Sequence, residues 1–201
     1  MQGVACGRIV VVSGPSGAGK TTLVDRLFET CPLPLVRSIS ATTRQPRGEE
    51  IDGVDYYFVD PQRFHAMRDK NQFLECFEVF GHGYWYGTLW SEVRAGVEAG
   101  KWVVLNIDVH GAAAVMQRFA DAITIFVRPN SMEELRRRLQ RRGTDPPDEI
   151  EKRLQQAEYE LSQAHLYRYE VVNDDLDRAV KEICTILTEH YTYREEGERA
   201  K

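Results

Sequence analysis

The chain has 201 residues, of which 42% are apolar and 28% are charged, and this composition predicts a globular protein with a hydrophobic core. Its 26 basic and 31 acidic residues give a net charge of −5, which argues against a general binder of nucleic acids or anionic membranes. The four cysteines lack the close spacing of a metal or redox pair, and no apolar stretch is long enough for a signal peptide or a membrane span. We therefore expect a cytoplasmic protein with reduced thiols.

Apolar runs alternate with helix-like periods along the chain, a pattern typical of an α/β fold with crossover helices. A first helix is expected to begin at Gly19 or Lys20 and to end near Thr30. Four runs rich in β-branched or aromatic residues predict buried strands of a parallel sheet, namely 9–12, 102–105, 123–127 and, more weakly, 169–172.

Residues 38–98 have a different pattern, with turn signals, many aromatic residues and short strand-like pieces at 56–59 and 73–79. We expect this stretch to be an insertion that folds as a small mixed sheet with one or two helices.

The last third of the chain predicts three helices. The first begins at Ser131 with capping-box spacing and ends at Arg142, where Gly143 supplies the stop. After a break at 145–147, the second helix has an apolar face formed by Ile150, Leu154, Ala157 and Leu161. A final helix is expected over 176–190.

A glycine-rich segment follows the first predicted strand and fits the pattern G-x-x-x-x-G-K-[ST] in full: Gly14, Pro15, Ser16, Gly17, Ala18, Gly19, Lys20 and Thr21. Glycines allow a tight turn whose backbone N–H groups point at a phosphate chain, and the following helix adds its positive N-terminal end. Lys20 would reach the β- and γ-phosphates of ATP, and the Thr21 hydroxyl would bind Mg²⁺. A simple connecting turn is the alternative, but the complete spacing between a strand and a helix favours a phosphate-binding loop.

Two arginines three residues apart, Arg44 and Arg47, lie in a stretch with several hydroxyl residues, including Ser40. Two guanidinium forks with hydroxyl donors suit a phosphate monoester, and Tyr56 and Tyr86 could each add a phenolic donor. The alternative is a solvent-exposed basic loop that forms ion pairs with the acidic residues after it. In a chain that also has a phosphate-binding loop, a site for an acceptor phosphate is the favoured interpretation.

These motifs together resemble those of the guanylate kinases. In chain order they are the phosphate loop, Ser40-x-Thr42-Thr43-Arg44-x-Pro46-Arg47, Gly53-x-x-Tyr56-x-Phe58-Val59, Phe73-Leu74-Glu75, Tyr86-Gly87-Thr88, Ile107-Asp108-x-x-Gly111, Arg142-Gly143, Lys152-Arg153 and Val172-Asn173-Asp174-Asp175. They occur in the order of that family and cover the chain from about Arg8 to His190, so the set is specific.

The resemblance implies an enzyme of guanine nucleotide metabolism that phosphorylates GMP to GDP with ATP. Residues implied to hold the GMP phosphate are Ser40, Arg44, Arg47, Tyr56 and Tyr86. Residues implied to read the guanine are Glu75, Thr88 and Asp108. A carboxylate can accept hydrogen bonds from guanine N1–H and the exocyclic amino group, whereas adenine has no N1–H. Taken alone, Glu75 could be an ordinary surface acid, and Asp108 could cap the helix that follows it.

A mobile lid is also implied, with arginines that neutralise charge on the transferred phosphoryl group. Arg138 and Arg142 would share one helix face, Arg153 would come from the next helix, and Asn173 would touch the adenine. Residues expected to act in catalysis are Lys20, Arg44, Arg142 and Arg153. No general base is required, because the acceptor phosphate is already a nucleophile. Taken alone, the arginine run could be a solvated helix face.

The implied fold is one α/β domain over 1–201, with a P-loop-type parallel sheet of about five strands flanked by helices. The expected parts are a core at 1–37, 99–135 and 160–193, a nucleoside-monophosphate-binding insertion at 38–98, a helical lid at 136–159, and a tail at 194–201 that frays. The expected substrates are ATP and GMP, and the expected cofactor is Mg²⁺. We expect no nucleic acid or membrane partner, and protein partners are left open.

Three departures from the family pattern keep alternatives open. After Arg47, Gly48-Glu49-Glu50 replaces the usual Pro-Gly-Glu, which changes the turn of this loop. Asn106 stands where the family usually has an acidic residue, and the segment 81–85 is about two residues longer than usual, so Tyr84 could take the place of Tyr86. A kinase of another phosphate monoester should lack the guanine-reading residues. A related protein-binding module should have a damaged phosphate loop. The intact loop and the three guanine readers favour the enzyme.

Overall fold

The computed structural model describes residues 7–79, 83–141 and 146–199. The chain divides into two compact units, one formed by Met1–Val11 with Pro34–Ala122 and the other by Val12–Leu33 with Ile123–Lys201. In chain order the strands are β1 (Arg8–Ser13), β2 (Leu35–Arg37), β3 (Ser40–Thr42), β4 (Tyr57–Phe58), β5 (Phe73–Val79), β6 (Tyr84–Leu89), β7 (Trp102–Asn106), β8 (Ile123–Arg128) and β9 (Tyr169–Val172). The helices are α1 (Lys20–Thr30), α2 (Pro61–Asp69), α3 (Trp90–Glu98), α4 (Val109–Arg118), α5 (Met132–Arg141), α6 (Pro147–Ser162) and α7 (Leu176–Arg199), with a short 3-10 turn at Ala164–Leu166.

Five strands form a parallel sheet in the order β2-β7-β1-β8-β9. Val36 pairs with Val103 between β2 and β7, and Phe126 pairs with Glu170 between β8 and β9. The central strands are fully buried along most of their length, which is why they consist of nearly continuous β-branched and aromatic residues. The predicted parallel sheet of about five strands flanked by helices is confirmed.

Strand β2 is the core strand for which the sequence carried no clear signal. It has only three residues, all half-buried, and it directly follows Pro34. A run this short shows neither an alternating pattern nor a continuous apolar block, so its place in the sheet depends on pairing with β7.

A second, mixed sheet lies in the first unit, with the strand order β4-β3-β6-β5. β3 runs parallel to β4 and antiparallel to β6, which in turn runs antiparallel to β5. Helix α2 buries Phe64 against this sheet, where its ring stacks on Phe73 with centroids 4.5 Å apart. The small mixed sheet expected within 38–98 is therefore present, although the piece expected at 56–59 is a strand only over Tyr57–Phe58.

Helices α5 and α6 pack together in the second unit around one apolar cluster, formed by Leu135, Leu139, Ile150, Leu154 and Ala157. The capping signal at Ser131 is confirmed, because its hydroxyl accepts a hydrogen bond of 3.2 Å from the backbone N–H of Glu134. The predicted helix end at Arg142 and Gly143 lies outside the described residues.

The last helix is longer than predicted, since α7 continues to Arg199 and does not end at His190. Between these positions the chain has no proline, and its only glycine comes at position 197. The other residues include good helix formers, glutamate and arginine among them, so nothing in the local sequence stops the helix at residue 190.

Candidate active site

The phosphate-loop motif forms the turn between β1 and α1 in the second unit. Gly14, Gly17 and Gly19 have φ angles of +138°, +91° and +86°. Residues with a Cβ atom rarely adopt these angles. A Cβ atom on Gly14 would lie 2.0 Å from the carbonyl oxygen of Val127 in β8. The glycines are therefore required for both the backbone conformation of the loop and its close approach to the strand.

Lys20 is the first residue of α1, and its side chain turns back over the loop. Its Nζ donates hydrogen bonds to the carbonyl oxygens of Gly14 at 2.6 Å and Pro15 at 3.0 Å. Thr21 follows in the first turn of α1, with an exposed side chain. This end of α1 has the positive partial charge of a helix N-terminus. The loop thus presents a cation, a hydroxyl group and a helix end within two residues.

Arg138 and Asn173, both expected to bind ATP, meet at the loop carbonyl of Ala18. Asn173 Nδ2 donates to Ala18 O at 2.7 Å, and Arg138 donates to the same oxygen at 3.3 Å. Arg138 also donates to the carbonyl oxygen of Asn173 at 2.8 Å, and Glu134 accepts from its Nε at 2.9 Å. These bonds hold α5 and the end of β9 to the phosphate loop.

Glu160 is a residue of this region that the sequence analysis missed. It lies on α6 with only 7% of its surface exposed, and its Oε2 accepts a 3.3 Å hydrogen bond from the backbone N–H of Ser16 in the phosphate loop. Gln156 donates to the other oxygen at 3.2 Å. The signal that could have revealed Glu160 is its position beside the apolar face of the helix, three residues after buried Ala157.

Of the two arginines expected to act from the lid, only Arg153 lies within the described residues. Arg142 lies outside the described residues. Arg153 lies on α6, two turns before Glu160, and is half-buried. Its place in catalysis stays a prediction.

The first unit brings four of the expected acceptor residues onto one face of the mixed sheet. Ser40 on β3 is directly opposite Thr88 on β6, which is opposite Glu75 on β5. Tyr86 lies two residues before Thr88 and therefore projects from the same face. Pairing register thus aligns a row of polar groups that are far apart in the sequence.

Glu75 is a buried carboxylate, not the surface acid that its local sequence also allowed. It is 7% exposed, and its Oε1 accepts hydrogen bonds from the hydroxyl of Thr88 at 2.5 Å and from the Thr88 backbone N–H at 3.1 Å. Its Oε2 is buried and has no hydrogen-bond partner among the described residues. Burial raises the pKa of Glu75 to about 7, the Thr88 bonds oppose this shift, and the nearby charge of Asp108 adds to it.

Helix α4 closes over this carboxylate. Asp108 caps the helix, with its Oδ1 accepting a 2.9 Å hydrogen bond from the Gly111 backbone N–H, as the capping alternative expected. A Cβ atom on Gly111 would lie 2.8 Å from Glu75 Oε2, so glycine makes room for the carboxylate.

Arg118, at the other end of α4, donates at 2.7 Å to the carbonyl oxygen of Leu74, where the β5–β6 register shifts. A shift of this kind re-aims the side chain beside it.

Arg44 is the centre of a second group of contacts in the first unit. It is 5% exposed and donates from Nε to the hydroxyl of Tyr86 at 3.0 Å. Both of its terminal nitrogens bond the carboxylate of Glu50, at 2.8 and 2.9 Å. Burial favours the neutral form of Glu50, but the Arg44 guanidinium holds the pKa of Glu50 below its usual range. The structure thus contains one ion pair of the kind that the alternative expected, but Arg44 is buried and not solvent-exposed.

Tyr56 and Tyr86 frame the Arg44 guanidinium. The guanidinium carbon lies 5.4 Å from the ring centre of Tyr56, and the two tyrosine rings meet edge to face with centroids 5.9 Å apart. Tyr84, the alternative considered from the sequence, opens β6 opposite Val79 and is 38% exposed. Arg47 is exposed, and its backbone N–H donates to Glu50 at 2.7 Å.

Mg²⁺ would find oxygen donors of the right kind at the phosphate loop. No group of three or more His, Cys, Asp or Glu side chains able to hold a metal is found in the part of the chain that the structure describes. Mg²⁺ that accompanies a nucleotide needs few protein ligands, since phosphate oxygens and water complete its shell. Thr21, an exposed residue beside Lys20 at the start of α1, carries a hydroxyl of the kind that this role requires.

Comparison with known proteins shows which family the chain belongs to. The family model for guanylate kinase matches residues 6–190. The chain belongs to the guanylate kinase family. A guanylate kinase of Rhodopirellula baltica is 50% identical over 182 residues, which cover 90% of this chain and 87% of that protein. One from Thermus thermophilus is 47% identical, with 90% of this chain and 81% of that protein covered.

A solved guanylate kinase structure from Anaplasma phagocytophilum is also similar, with a TM-score of 0.77, 34% identity, and coverage of 92% of this chain and 87% of that one. As a member of the guanylate kinase family, the protein is a nucleotide-binding kinase, hence a transferase. None of the described helices is both long and apolar enough to cross a membrane.

Proposed function

We propose that this protein transfers the γ-phosphoryl group of ATP to the phosphate of GMP, and that ADP and GDP are the products. The observation that carries the proposal is the buried carboxylate of Glu75, with one oxygen held by Thr88 and the other without a partner among the described residues. Guanine offers two adjacent donors, N1–H and the exocyclic amino group, to such a carboxylate. Adenine offers no N1–H, so the buried oxygen would remain unpaired at a cost of ~1–3 kcal/mol.

The remaining acceptor residues form the phosphate end of the proposed GMP site. Arg44, oriented by Glu50 and Tyr86, would face the GMP phosphate, and exposed Arg47 would add a second positive charge. Ser40, Tyr56 and Tyr86 would complete the phosphate end. Thr88 and Asp108 would join Glu75 in contact with the guanine. Glu50 has the supporting role of fixing the Arg44 fork.

ATP would bind at the phosphate loop, with its phosphates cradled by residues 14–21. Lys20 would exchange its bonds to the loop carbonyls for bonds to the β- and γ-phosphates. Thr21 would hold Mg²⁺, which supplies positive charge to the phosphate chain. Arg138 and Asn173 already bond the loop at Ala18 and would extend the site towards the nucleotide, and Arg142 and Arg153 would neutralise the transferred group.

Catalysis in this proposal consists of positioning and charge neutralisation, because the acceptor phosphate is itself a nucleophile. Residues 38–98 would act as the acceptor-binding insertion, 136–159 as the lid, and 1–37, 99–135 and 160–193 as the core. A cytoplasmic location, and the absence of nucleic acid and membrane partners, stay predictions.

The test is ADP release from ATP and Mg²⁺ with a panel of acceptors: GMP, AMP, CMP, UMP and ribose phosphates. We expect turnover with GMP alone. Turnover with another acceptor would keep the phosphate-loop assignment and remove the roles given to Glu75, Thr88 and Asp108. Nucleotide binding without any turnover would indicate a binding module. The first residue to test would then be Asn106, by substitution with an acidic residue.

The Glu75→Gln variant, assayed with the same acceptors, tests the proposed contact between Glu75 and guanine directly. The amide replaces one acceptor oxygen with an NH2 donor group, so it no longer matches the two donors of guanine. We expect kcat/KM for GMP to fall by ~10- to 100-fold with KM for ATP unchanged. An unchanged kcat/KM for GMP would contradict the assignment of Glu75 to base recognition.

A further inference from the structure

Two cysteines that are 153 positions apart in the chain meet in the second unit. Cys31 directly follows the last residue of α1, and Cys184 lies within α7. Their sulfur atoms are 2.9 Å apart, and both are free thiols. We propose that Cys31 and Cys184 are a modification site, at which thiol–disulfide exchange with a small-molecule disulfide of the glutathione class forms a reversible intramolecular disulfide.

The packing of α1 against α7 presents the two thiols to each other. Buried Leu27 and Ile183 lie on these helices one turn before Cys31 and one residue before Cys184. Cys31 itself has an extended backbone, with φ −80° and ψ 126°, and its N–H is bonded to the Leu27 carbonyl. An S–S bond is about 2.0 Å long, so the sulfur atoms need to approach by about 0.9 Å, which side-chain rotation can supply.

The two sulfurs differ in access, and this difference sets the order of the steps. Cys31 is buried, and burial raises the pKa of its thiol above the usual value. Cys184 is only half-buried. The Cys184 thiolate therefore attacks the small disulfide first, forms a mixed disulfide and releases one small thiolate.

The Cys31 sulfur then attacks Cys184 Sγ, and the second small thiolate leaves with the proton of Cys31. In sum, the two protein thiols lose two electrons and two protons, and the small disulfide is reduced to two thiols. No other oxidant is needed.

The site lies at the end of α1 opposite to its phosphate-binding residues. The 11 residues of α1 place Lys20 about 16 Å from the Cys31 end. We therefore expect the oxidised protein to keep its kinase activity. The cross-link closes a loop of more than 150 residues, which restricts the unfolded chain and stabilises the folded one.

Peptide mapping of the full chain tests the bond itself. After incubation with oxidised glutathione, trypsin under non-reducing conditions places Cys31 in peptide 27–37 and Cys184 in peptide 182–194, each without another cysteine. We expect the two peptides as one linked species, which dithiothreitol separates. Glutathione retained on Cys184 with Cys31 still open to alkylation after unfolding, or a covalent dimer, would overturn the proposal.

Single variants test the order of the steps. Cys31→Ser should trap glutathione on Cys184, whereas Cys184→Ser should leave Cys31 unmodified. Cys76→Ser, in the first unit, is the matched control and should still give the linked peptides.

Thermal unfolding tests the effect of the bond on stability. Oxidised wild-type protein should have an unfolding midpoint temperature at least ~5 °C above that of the reduced protein, and neither Cys31→Ser nor Cys184→Ser should show this shift. Equal midpoints for oxidised and reduced wild type would contradict a bond between the packed helices.

Discussion

At the scale of single residues, Glu75 combines a buried carboxylate with a proposed task that needs its charge. The ionised form is required to accept two hydrogen bonds from guanine, yet burial favours the protonated form, with a pKa of about 7. We expect kcat/KM for GMP to rise with pH and to level off above this pKa, because kcat/KM reports groups of the free enzyme. A flat profile between pH 5 and 8 would contradict the role of Glu75, and Glu75→Gln should have no such rise.

The stability of the protein should respond to pH in the opposite direction. A pKa raised from 4.5 to about 7 means that the folded state binds more protons than the unfolded state within this window. Stability from this group is therefore present below about pH 4.5 and falls as pH rises through about 7. Urea unfolding at several pH values should show this fall in the wild type and a flatter curve in Glu75→Gln. Identical stability–pH curves for the wild type and Glu75→Gln would contradict the raised pKa of Glu75.

Lys20 is the residue proposed to contact the β- and γ-phosphates of ATP. Its ammonium group already bonds two loop carbonyls, so it is held where a phosphate chain would lie. We expect Lys20→Ala to lower kcat by at least ~10²-fold with the circular dichroism spectrum unchanged. Exposed Lys181 in α7 is the matched control, and Lys181→Ala should keep full activity. A Lys20→Ala protein with most of its activity would refute the role.

At the scale of elements, α6 holds the phosphate loop through Glu160. Glu160→Ala removes the acceptor for the Ser16 N–H, whereas Glu160→Gln keeps an oxygen at this position. We expect the alanine variant to raise KM for ATP several-fold and leave KM for GMP unchanged, with the glutamine variant close to wild type. Glu158→Ala, exposed on the same helix, is the control. Equal increases of both KM values would indicate general destabilisation and contradict the positioning role.

Helix α4 positions the Glu75 carboxylate in the proposed GMP site. A methyl group on Gly111 would lie 2.8 Å from Glu75 Oε2 and would force the carboxylate to move. Gly111→Ala should therefore raise KM for GMP by ~10-fold or more with KM for ATP unchanged. Steady-state kinetics with each substrate varied in turn provides the measurement. Unaltered kinetics would show that the carboxylate can shift without loss of GMP binding.

At the scale of the whole molecule, transfer between two phosphates requires exclusion of water from the transferred group. We expect the proposed lid and the acceptor-binding insertion to close when both substrates are bound. Small-angle X-ray scattering of the free protein and of a complex with a bisubstrate analogue should give a smaller radius of gyration for the complex. Two identical profiles would refute the closure.

The sequence by itself determined the phosphate loop, the parallel sheet and the motif set that identifies the family. These features depend on local patterns, such as the complete glycine-lysine spacing at residues 14–21 and the continuous β-branched runs of buried strands. The sequence also pointed to Glu75, Thr88 and Asp108 as one group, although only through resemblance.

Only the tertiary structure decided what depends on contacts between distant positions. The row of Ser40, Thr88 and Glu75 follows from strand register, and the raised pKa of Glu75 follows from burial under α4. The Cys31–Cys184 contact follows from packing of the helices α1 and α7. Two cysteines that lack any close spacing in the sequence become neighbours because folding brings together positions far apart in the chain.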